Sequence, residues 1–180
     1  MEISEPLVNH WTSNGRTITF TWLGNVEVEP ARVYALAFTP KGQMLLVSSG
    51  PDDHQYWLPG GGVEAGETPA AALARELWEE AAATVHAMQV IGVQHVADTA
   101  GANEYHTFYW CRITLDETFT PQHEIGERKL VAPSEFLETL FWGRADPKAG
   151  ILLALALQCE QLHQTTEEGT ETPSSNRKAA

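Results

Sequence analysis

The sequence is poor in cysteine and has no long hydrophobic run. Its 180 residues include two cysteines, Cys111 and Cys159, which are far apart and lack the spacing of a zinc site. Each is expected to be a buried thiol, and neither a disulfide nor a catalytic role is predicted. The longest apolar run, Ile151 to Leu157, is far shorter than a membrane span. No transmembrane helix is predicted.

Basic residues are scarce relative to acidic ones. Eleven Lys and Arg against 24 Asp and Glu give a formal net charge of −13. This charge would repel a polyanion over most of the surface, so it argues against nonspecific binding to nucleic acid or to an anionic membrane. A small phosphorylated substrate is compatible with it, because a divalent cation inverts the local charge where it binds.

The N-terminal residues do not resemble a targeting signal, and the C-terminal residues do not have the composition of a folded segment. The first eleven residues, MEISEPLVNHW, contain no early basic residue and no apolar segment, so we expect a cytoplasmic protein. Residues 165–180 are rich in Thr, Glu and Ser and are predicted to be disordered. The remaining residues, 1–164, suit one domain, in which residues 1–30 form an extension with one predicted strand.

Six segments have the residue pattern of strands, and three have that of helices. The predicted strands are 16–23, 32–38, 44–48, 84–97, 104–115 and 130–132. The predicted helices begin at Thr68-Pro69, Pro133-Ser134 and Asp146-Pro147, since proline is tolerated in a first helical turn. The second and third strands should form a hairpin, and the fourth and fifth should pair antiparallel. This order is typical of an α/β protein with a mixed sheet covered by helices on both faces.

The most informative stretch is GGGVEAGETPAAALARELWEEAAA, residues 60–83. A glycine run opens into a loop, and Thr68 and Pro69 then start a helix. At about 100° per residue, Glu76, Glu79 and Glu80 share one arc of this helix, beside an apolar stripe. The stripe is predicted to contain Ala70, Leu73, Ala74, Leu77 and Ala81.

Three carboxylates on one arc repel one another, so a compensating positive charge is expected beside them. Arg75 offsets part of the repulsion, and a hard divalent cation such as Mg²⁺ suits an all-oxygen set. The alternative is a solvated acidic helix face, which is the usual fate of Glu-rich helices. The glycine loop and the helix cap lie at fixed offsets from the carboxylates, and this pattern favours the cation.

The same stretch resembles the Nudix box, the pattern G-x5-E-x7-R-E-U-x-E-E-x-G-U, in which U is apolar. The positions in register are Gly61, Glu67, Arg75, Glu76, Leu77, Glu79 and Glu80, with Ala83 as the last apolar position. One position differs, because Ala82 stands where the pattern has glycine. Alanine carries no chemistry, so we expect it to alter the C-terminus of the helix and not to abolish activity.

Resemblance to the Nudix family, over about residues 32–164, implies an α/β/α sandwich and a Mg²⁺-dependent hydrolase, with Mn²⁺ as the alternative ion. It implies metal binding by Glu76, Glu79, Glu80 and the backbone at Gly61, and activation of water by one of the glutamates. Arg75 is expected to orient a glutamate through a charge-assisted hydrogen bond. The position of Glu67 in the pattern is as much structural as catalytic.

Further candidate site residues lie outside the helix. Trp57-Leu58-Pro59-Gly60-Gly61 resembles the segment before the Nudix helix in many family members, and glycines allow its backbone to approach a ligand. The residues predicted to contact substrate are Trp57, Gly60, Gly61 and Gly62. Glu127, in a polar loop predicted over 121–129, stands where several family members have a further catalytic glutamate. The alternative for Glu127 is a solvated loop carboxylate.

The resemblance implies an enzyme that cleaves the pyrophosphate bond of a nucleoside diphosphate linked to another moiety. ADP-ribose or a nucleotide sugar is the preferred substrate, because the extra N-terminal strand would help enclose a two-part ligand. The same strand would alternatively form a homodimer. The competing functions are a pyrophosphatase that removes modified nucleoside triphosphates and a catalytically silent module that senses nucleotide. The presence of Glu79 and Glu80 argues against the silent module.

Overall fold

A computed structural model describes residues 7–48, 55–118 and 127–170, with side chains described as far as residue 166. In these residues the chain forms eight strands and three helices. The strands are β1 (Val8–Ser13), β2 (Arg16–Gly24), β3 (Arg32–Phe38), β4 (Met44–Ser48), β5 (Gly60–Gly62), β6 (Ala83–Asp98), β7 (Asn103–Leu115) and β8 (Glu127–Val131). The helices are α1 (Pro69–Ala81), α2 (Pro133–Thr139) and α3 (Pro147–Thr170).

The strands form one mixed sheet in the order β1-β2-β6-β7-β3-β4-β8, and β5 pairs with β3 outside this order. β3 and β7 run parallel, while the other paired strands are antiparallel. The predicted pairing of the two long strands, β6 with β7, is confirmed. The predicted hairpin of β3 and β4 is also confirmed, with Phe38 opposite Met44.

Helices cover both faces of the sheet, because side chains alternate along the central strands. On β3, the odd-numbered residues Val33, Ala35 and Ala37 pack in one buried cluster with α1. The next residues along, Leu36 and Phe38, belong to a second cluster with α2 and α3. The expected α/β/α sandwich is therefore confirmed. No helix in the described parts of the chain is long and apolar enough to cross a membrane.

The structure has two strands that the sequence did not predict, and two predicted segments have wrong bounds. The first unpredicted strand, β1, precedes β2; its side chains are mostly exposed and so show no apolar alternation. The second, β5, is the glycine run, which is a strand because it pairs with β3. β8 begins at Glu127, so residues 127–129 are strand and not loop, since they pair with β4. α3 continues to Thr170, so residues 165–170 are helical and not part of a disordered tail. The rest of that predicted tail, 171–180, lies outside the described residues.

The N-terminal hairpin of β1 and β2 is attached to the sheet through Trp22. This side chain is 4% exposed and its ring lies 6.0 Å from that of Phe108. Trp22 also covers Gly92 so closely that a Cβ at Gly92 would overlap the indole ring. β2 pairs with β6 from Ile18 onward, so the hairpin is a fixed extension of the sheet.

Adding a methyl group at Gly92 should loosen the hairpin. We expect Gly92→Ala to lower the free energy of unfolding by about 1–3 kcal/mol, because overpacking forces the indole to move. The matched control is Gly150→Ala in α3, where a Cβ meets nothing within 4 Å. That change should raise stability by about 0.5–1 kcal/mol through lower chain entropy in the unfolded state. Urea unfolding measures both, and equal effects would contradict this account of the hairpin.

Candidate active site

The helix α1 carries the acidic residues and is held by its apolar face. Thr68 caps it, because the hydroxyl accepts a hydrogen bond from the Ala71 amide at 3.2 Å, and Pro69 follows as predicted. The buried side chains of α1 are Ala72, Leu73, Leu77 and Ala81. The prediction that Ala70 lies in the buried stripe is wrong, because this residue is exposed in the first turn of α1.

The glycine run passes directly against the acidic side of α1. The Gly60 amide donates a hydrogen bond of 2.8 Å to Oε2 of Glu80. Gly61 lies so close to Glu76 that a Cβ at this position would overlap the carboxylate. Gly60 has φ of +141° and faces the Val33 carbonyl, where a Cβ would also collide. The structure therefore explains why glycine is needed at both positions.

Arg75 connects the loop to three of the glutamates. Its guanidinium binds Glu67 through two hydrogen bonds of 3.1 Å, and it donates to Glu76 at 2.9 Å and to Glu79 at 3.2 Å. It also donates to the Gly62 carbonyl at 3.0 Å. The hydrogen bonds from Arg75 lower the pKa of Glu67, and those with Glu67 and Glu76 raise the pKa of Arg75. The predicted orienting role of Arg75 has the contacts that it requires.

Glu80 is electrostatically distinct from its neighbours. Burial raises the pKa of Glu80 to about 8, the charges of Glu76 and Glu79 add to this shift, and the Gly60 amide opposes it. Its charged form is therefore disfavoured at neutral pH unless a further positive charge is present. A divalent cation beside Glu80 would supply that charge.

The acidic side of α1 has the oxygen donors that a metal ion needs, but its carboxylates are not arranged around a common point. Within the described ranges, no three His, Cys, Asp or Glu side chains are grouped so as to hold a metal ion. Instead, Arg75 binds Glu76 and Glu79, while Glu80 bonds to the loop amide. The donor set is nevertheless all oxygen, which is the preference of hard divalent cations. Burial is the main cause of the raised pKa of Glu80, and the charges of Glu76 and Glu79 add to it.

The described contacts of Glu127 and Trp57 are with residues other than the box glutamates. Glu127 is the first residue of β8, and its Oε2 accepts a hydrogen bond of 2.9 Å from the Tyr56 hydroxyl. Trp57 packs its ring 4.6 Å from that of Phe141. Neither makes a described contact with the glutamates of α1, so their roles stay predictions. Glu124 and His123, which neighbour Glu127 in sequence, lie outside the described residues.

Trp57 lines a cavity of about 470 Å³ that the sequence did not reveal. The cavity lies on the α3 side of the sheet, and the hairpin, the central strands and the start of α3 all contribute to its walls. Side chains that the sequence analysis missed include Trp11, Phe20, Phe141 and Lys148. The aromatic pair Phe141-Trp142, followed by Asp146 and Lys148, was the available signal, but no spacing rule connects these residues to the hairpin.

The cavity and the glutamates lie on either side of the β3–β5 pair. Tyr34 lines the cavity, and its partner in register is Gly60, whose amide binds Glu80. The same loop carries Trp57 and Leu58 at the cavity wall and Gly61 beside Glu76. The loop therefore contacts the box glutamates at one end and lines the cavity at the other.

A model of the NUDIX domain matches residues 28–150. The chain belongs to the NUDIX family. The match spans more than half of the chain and includes every box position described above. Members of this family with hydrolase activity generally need divalent metal ions. The NUDIX match confirms the resemblance seen in the sequence. No protein of curated function matched the sequence.

Solved structures confirm that this NUDIX chain has the family fold. A Bacillus subtilis pyrophosphohydrolase, BsRppH, is similar at 20% identity with a TM-score of 0.65, over 84% of this chain and 97% of that chain. An ADP-ribose pyrophosphatase from Streptococcus suis matches at 21% identity with a TM-score of 0.52, over 74% and 93% of the two chains. A Caenorhabditis elegans Ap4A hydrolase matches at 16% identity with a TM-score of 0.52, over 72% and 98%. At these identities the likeness concerns the fold.

Ala82, which replaces the box glycine, ends α1 in the left-handed conformation with φ of +47°. A residue with a Cβ is strained there, whereas glycine is not. We expect Ala82→Gly to raise the free energy of unfolding by about 0.5–1 kcal/mol. The control is Ala81→Gly, which removes the same methyl group inside the helix and should lower stability by about 1 kcal/mol or more. Thermal unfolding of both variants measures this, and stabilisation by Ala81→Gly or loss by Ala82→Gly would contradict it.

The raised pKa of Glu80 predicts that the metal-free protein loses stability as pH rises. The folded state holds the Glu80 proton more tightly than the unfolded state, so this contribution is complete below pH 4.5 and lost as pH rises through about 8. We expect the free energy of unfolding to fall across this window by up to about 1.4 kcal/mol per pH unit.

Unfolding in the presence of chelator, from pH 4.5 to 8, tests the assignment. Glu80→Gln should remove this part of the decline, because the amide does not titrate. Glu64→Gln, a change at an exposed loop residue, should retain it. An equal decline in Glu80→Gln and in the unsubstituted protein would show that another group causes it.

Proposed function

We propose that this protein is a divalent-metal-dependent hydrolase that cleaves the pyrophosphate bond of a nucleoside diphosphate linked to a second moiety. Membership of the NUDIX family makes the chain a Nudix-type pyrophosphohydrolase, an enzyme that acts on phosphorus anhydrides. The observation that carries the proposal is the contact of the glycine run with α1. Bare backbone at Gly60 and Gly61 lies against Glu80 and Glu76, so a phosphate held by the metal would lie beside this backbone with no side chain between them.

Mg²⁺ is the proposed cation, with Mn²⁺ as the alternative, and Glu76, Glu79, Glu80 and the backbone at Gly61 are its proposed ligands. A bound divalent cation offsets the charge of phosphoryl oxygens and lowers the pKa of a bound water. In the reaction, water adds to one phosphorus, the bridging P–O bond breaks, and a phosphomonoester forms on each side. One glutamate of the set accepts the proton of the attacking water, and Arg75 keeps Glu76 and Glu79 oriented.

Glu127 is retained as a candidate for the general base, although its described contact is with Tyr56. A base on β8 would have to reach a water positioned by the α1 glutamates. Replacement of Glu127 by glutamine therefore distinguishes a general base from a solvated carboxylate. Loss of turnover would support the general base, and unchanged turnover would support the solvated carboxylate. The contacts of Glu76 and Glu79 favour the α1 glutamates as the main catalytic set.

ADP-ribose or a nucleotide sugar is the proposed substrate class. The cavity supports a two-part substrate, since Trp57 and Leu58 at its wall belong to the same loop as Gly60, whose amide binds Glu80. A pyrophosphatase that removes modified nucleoside triphosphates is the second candidate, and a silent nucleotide-sensing module is the third. The complete carboxylate set favours turnover over silent binding. A small nucleotide, and not nucleic acid, fits the net charge of −13, while cytoplasmic location and a homodimer stay predictions.

Replacement of Glu79 by glutamine tests the mechanism. Glu79 is exposed and Arg75 is its partner, so Glu79→Gln should keep the fold while it removes a carboxylate charge. We expect a loss of turnover of about a hundredfold or more, the scale seen when one group that stabilises transition-state charge is removed. Phosphate release, coupled to a phosphomonoesterase, is measured with and without Mg²⁺ on ADP-ribose, nucleotide sugars, nucleoside triphosphates and dinucleoside polyphosphates.

Glu64→Gln is the matched control, because it removes the same charge from an exposed residue of the loop before α1. It should leave turnover unchanged. Metal-dependent turnover that persists in Glu79→Gln would contradict the mechanism. Nucleotide binding without turnover on any substrate would favour the sensing module.

A further inference from the structure

The two outermost strands of the sheet differ in the charge of their side chains. β8, at one end, carries three consecutive charged residues, Glu127, Arg128 and Lys129. β1, at the other end, has the sequence VNHWTS, which contains no acidic residue, lysine, arginine or proline. Natural sheets usually protect an outermost strand from pairing with another chain through charges, proline or a bulge. β1 has none of these features, since its pairing with β2 also shows no register shift.

The first half of β6 also has an open side within the described parts of the chain, because β2 pairs with β6 only from Val93 onward. That stretch is protected in another way. Register shifts interrupt it between Val85 and Ala87 and between Val90 and Gly92. Such irregularities bend a strand and hinder the addition of a new partner. β1 therefore offers a regular, uncharged edge, which β6 and β8 do not.

The turn of the hairpin fixes which backbone groups of β1 bond to β2. Asn14 and Gly15 have positive φ values of 49° and 74°, as in a two-residue hairpin turn. The residues that flank such a turn, Ser13 and Arg16, are paired and exchange hydrogen bonds. From there the bonding alternates along an antiparallel strand, so the odd-numbered residues of β1 bond to β2.

The remaining backbone groups of β1 face away from the sheet. The alternation continues at the start of the hairpin, where the Trp22 amide donates a hydrogen bond of 2.9 Å to the carbonyl of Leu7, another odd-numbered residue. The outward-facing amides and carbonyls are therefore those of Val8, His10 and Thr12. They form a row of donors and acceptors that an additional strand would pair with.

Charge favours a second copy of this chain as the occupant of that edge. Residues 7–26 contain no Asp or Glu and one basic residue, Arg16, which binds Asp98. The whole chain has 24 acidic residues and a net charge of −13, so two copies repel each other over most of their surfaces. Contact at an edge without acidic residues avoids most of this repulsion, and two identical uncharged strands bring no like charges together.

Apolar side chains on both faces of β1 are left exposed. Val8 is 44% exposed and Trp11 is 51% exposed, and they lie on opposite faces because their positions differ by an odd number. Cross-strand contact between side chains is the main source of stability in a paired edge. A strand added at β1 would cover part of each of these two side chains.

We propose that this protein forms a two-fold symmetric homodimer in which β1 pairs antiparallel with β1 of a second copy, with His10 opposite His10 of the partner subunit. This register uses every outward-facing residue, because Val8 then lies opposite Thr12 of the partner subunit, and each opposed pair exchanges two hydrogen bonds. Trp11 lies opposite the partner's Asn9 on one face. The His10 amide, which now bonds to the Asn9 side chain at 2.8 Å, exchanges that bond for one to the partner strand.

The dimer joins the two sheets into one continuous sheet, and its affinity is limited by the length of the edge. β1 has six residues, and pairing along so short an edge covers less surface than the roughly 1,200–2,000 Å² of a standard stable interface. We therefore expect a reversible dimer with a Kd of about 1–100 µM. This inference specifies an interface for the homodimer expected from the sequence, and it does not depend on the proposed activity.

Sedimentation equilibrium of the full chain, from about tenfold below to about tenfold above this Kd range, tests the proposal. The unsubstituted protein should change from monomer to dimer as its concentration rises. His10→Lys should raise the Kd by about tenfold or more, because it places two like charges directly opposite each other at the two-fold axis. An equimolar mixture of His10→Lys and His10→Glu should restore the dimer, since opposite charges then meet at the same place.

His86→Lys is the matched control. His86 is an exposed residue of β6 that bonds to the Thr114 hydroxyl on the neighbouring strand, as His10 bonds to that of Thr19 on β2. Both lysine substitutions make the net charge less negative by the same amount, so a general charge effect would strengthen association equally in both. His86→Lys should dimerise at least as well as the unsubstituted protein. Circular dichroism during thermal unfolding should show that the His10 variants remain folded as monomers.

A monomer at every concentration would overturn the proposal, and this is also the result expected if the edge is occupied by another segment of this chain or by a different protein. A dimer that His10→Lys leaves intact, or that the mixture of His10→Lys and His10→Glu does not restore, would show that another surface or register is used. Sedimentation requires no substrate, so the outcome is independent of turnover. A dimer that hydrolyses nothing would support the interface and contradict the proposed function, whereas turnover by a monomer would do the reverse.

Discussion

The short antiparallel pairing of β5 with β3 is the constraint on which the candidate site depends. It holds Gly60 opposite Tyr34 and Gly61 opposite Val33, at the middle of the sheet. From that position the Gly60 amide meets Glu80, and the bare Cα of Gly61 meets Glu76. A side chain at Gly61 would push the loop away from the helix, and one at Gly60 would push it away from β3, so close approach of the backbone is the common requirement.

The acidic helix is stable despite the repulsion among its glutamates. Like charges one turn apart cost a few tenths of a kcal/mol each, whereas full burial of one leucine contributes about 1.5–3 kcal/mol. Leu73 and Leu77 are fully buried against the sheet, and Arg75 binds three glutamates on the other side. The fold therefore tolerates a concentration of negative charge that stability alone would not favour. That charge is what a hard divalent cation needs.

The hairpin extends this chain beyond the matched NUDIX residues. Pairing of β2 with β6 extends the sheet beyond the matched domain and carries Trp11 and Phe20 to the cavity. The attachment depends on glycine at position 92, because a Cβ there would overlap the Trp22 ring. The box glutamates and the hairpin thus belong to different elements, and the loop from Trp57 to Gly62 contacts α1 and lines the cavity.

The local sequence pattern was sufficient to predict the parts of the structure that depend on residues close together in the sequence. The bounds of β3 and β4, the Thr68 cap and the arc of Glu76, Glu79 and Glu80 all follow from spacing and side-chain type, and the structure agrees. Contacts between distant segments decided the rest. β1 lacks a buried face, so only pairing with β2 makes it a strand, and Lys148 approaches Gln94 across 54 residues of sequence. The periodicity of apolar residues does not predict such contacts, because they depend on how the sheet brings separate strands and helices together.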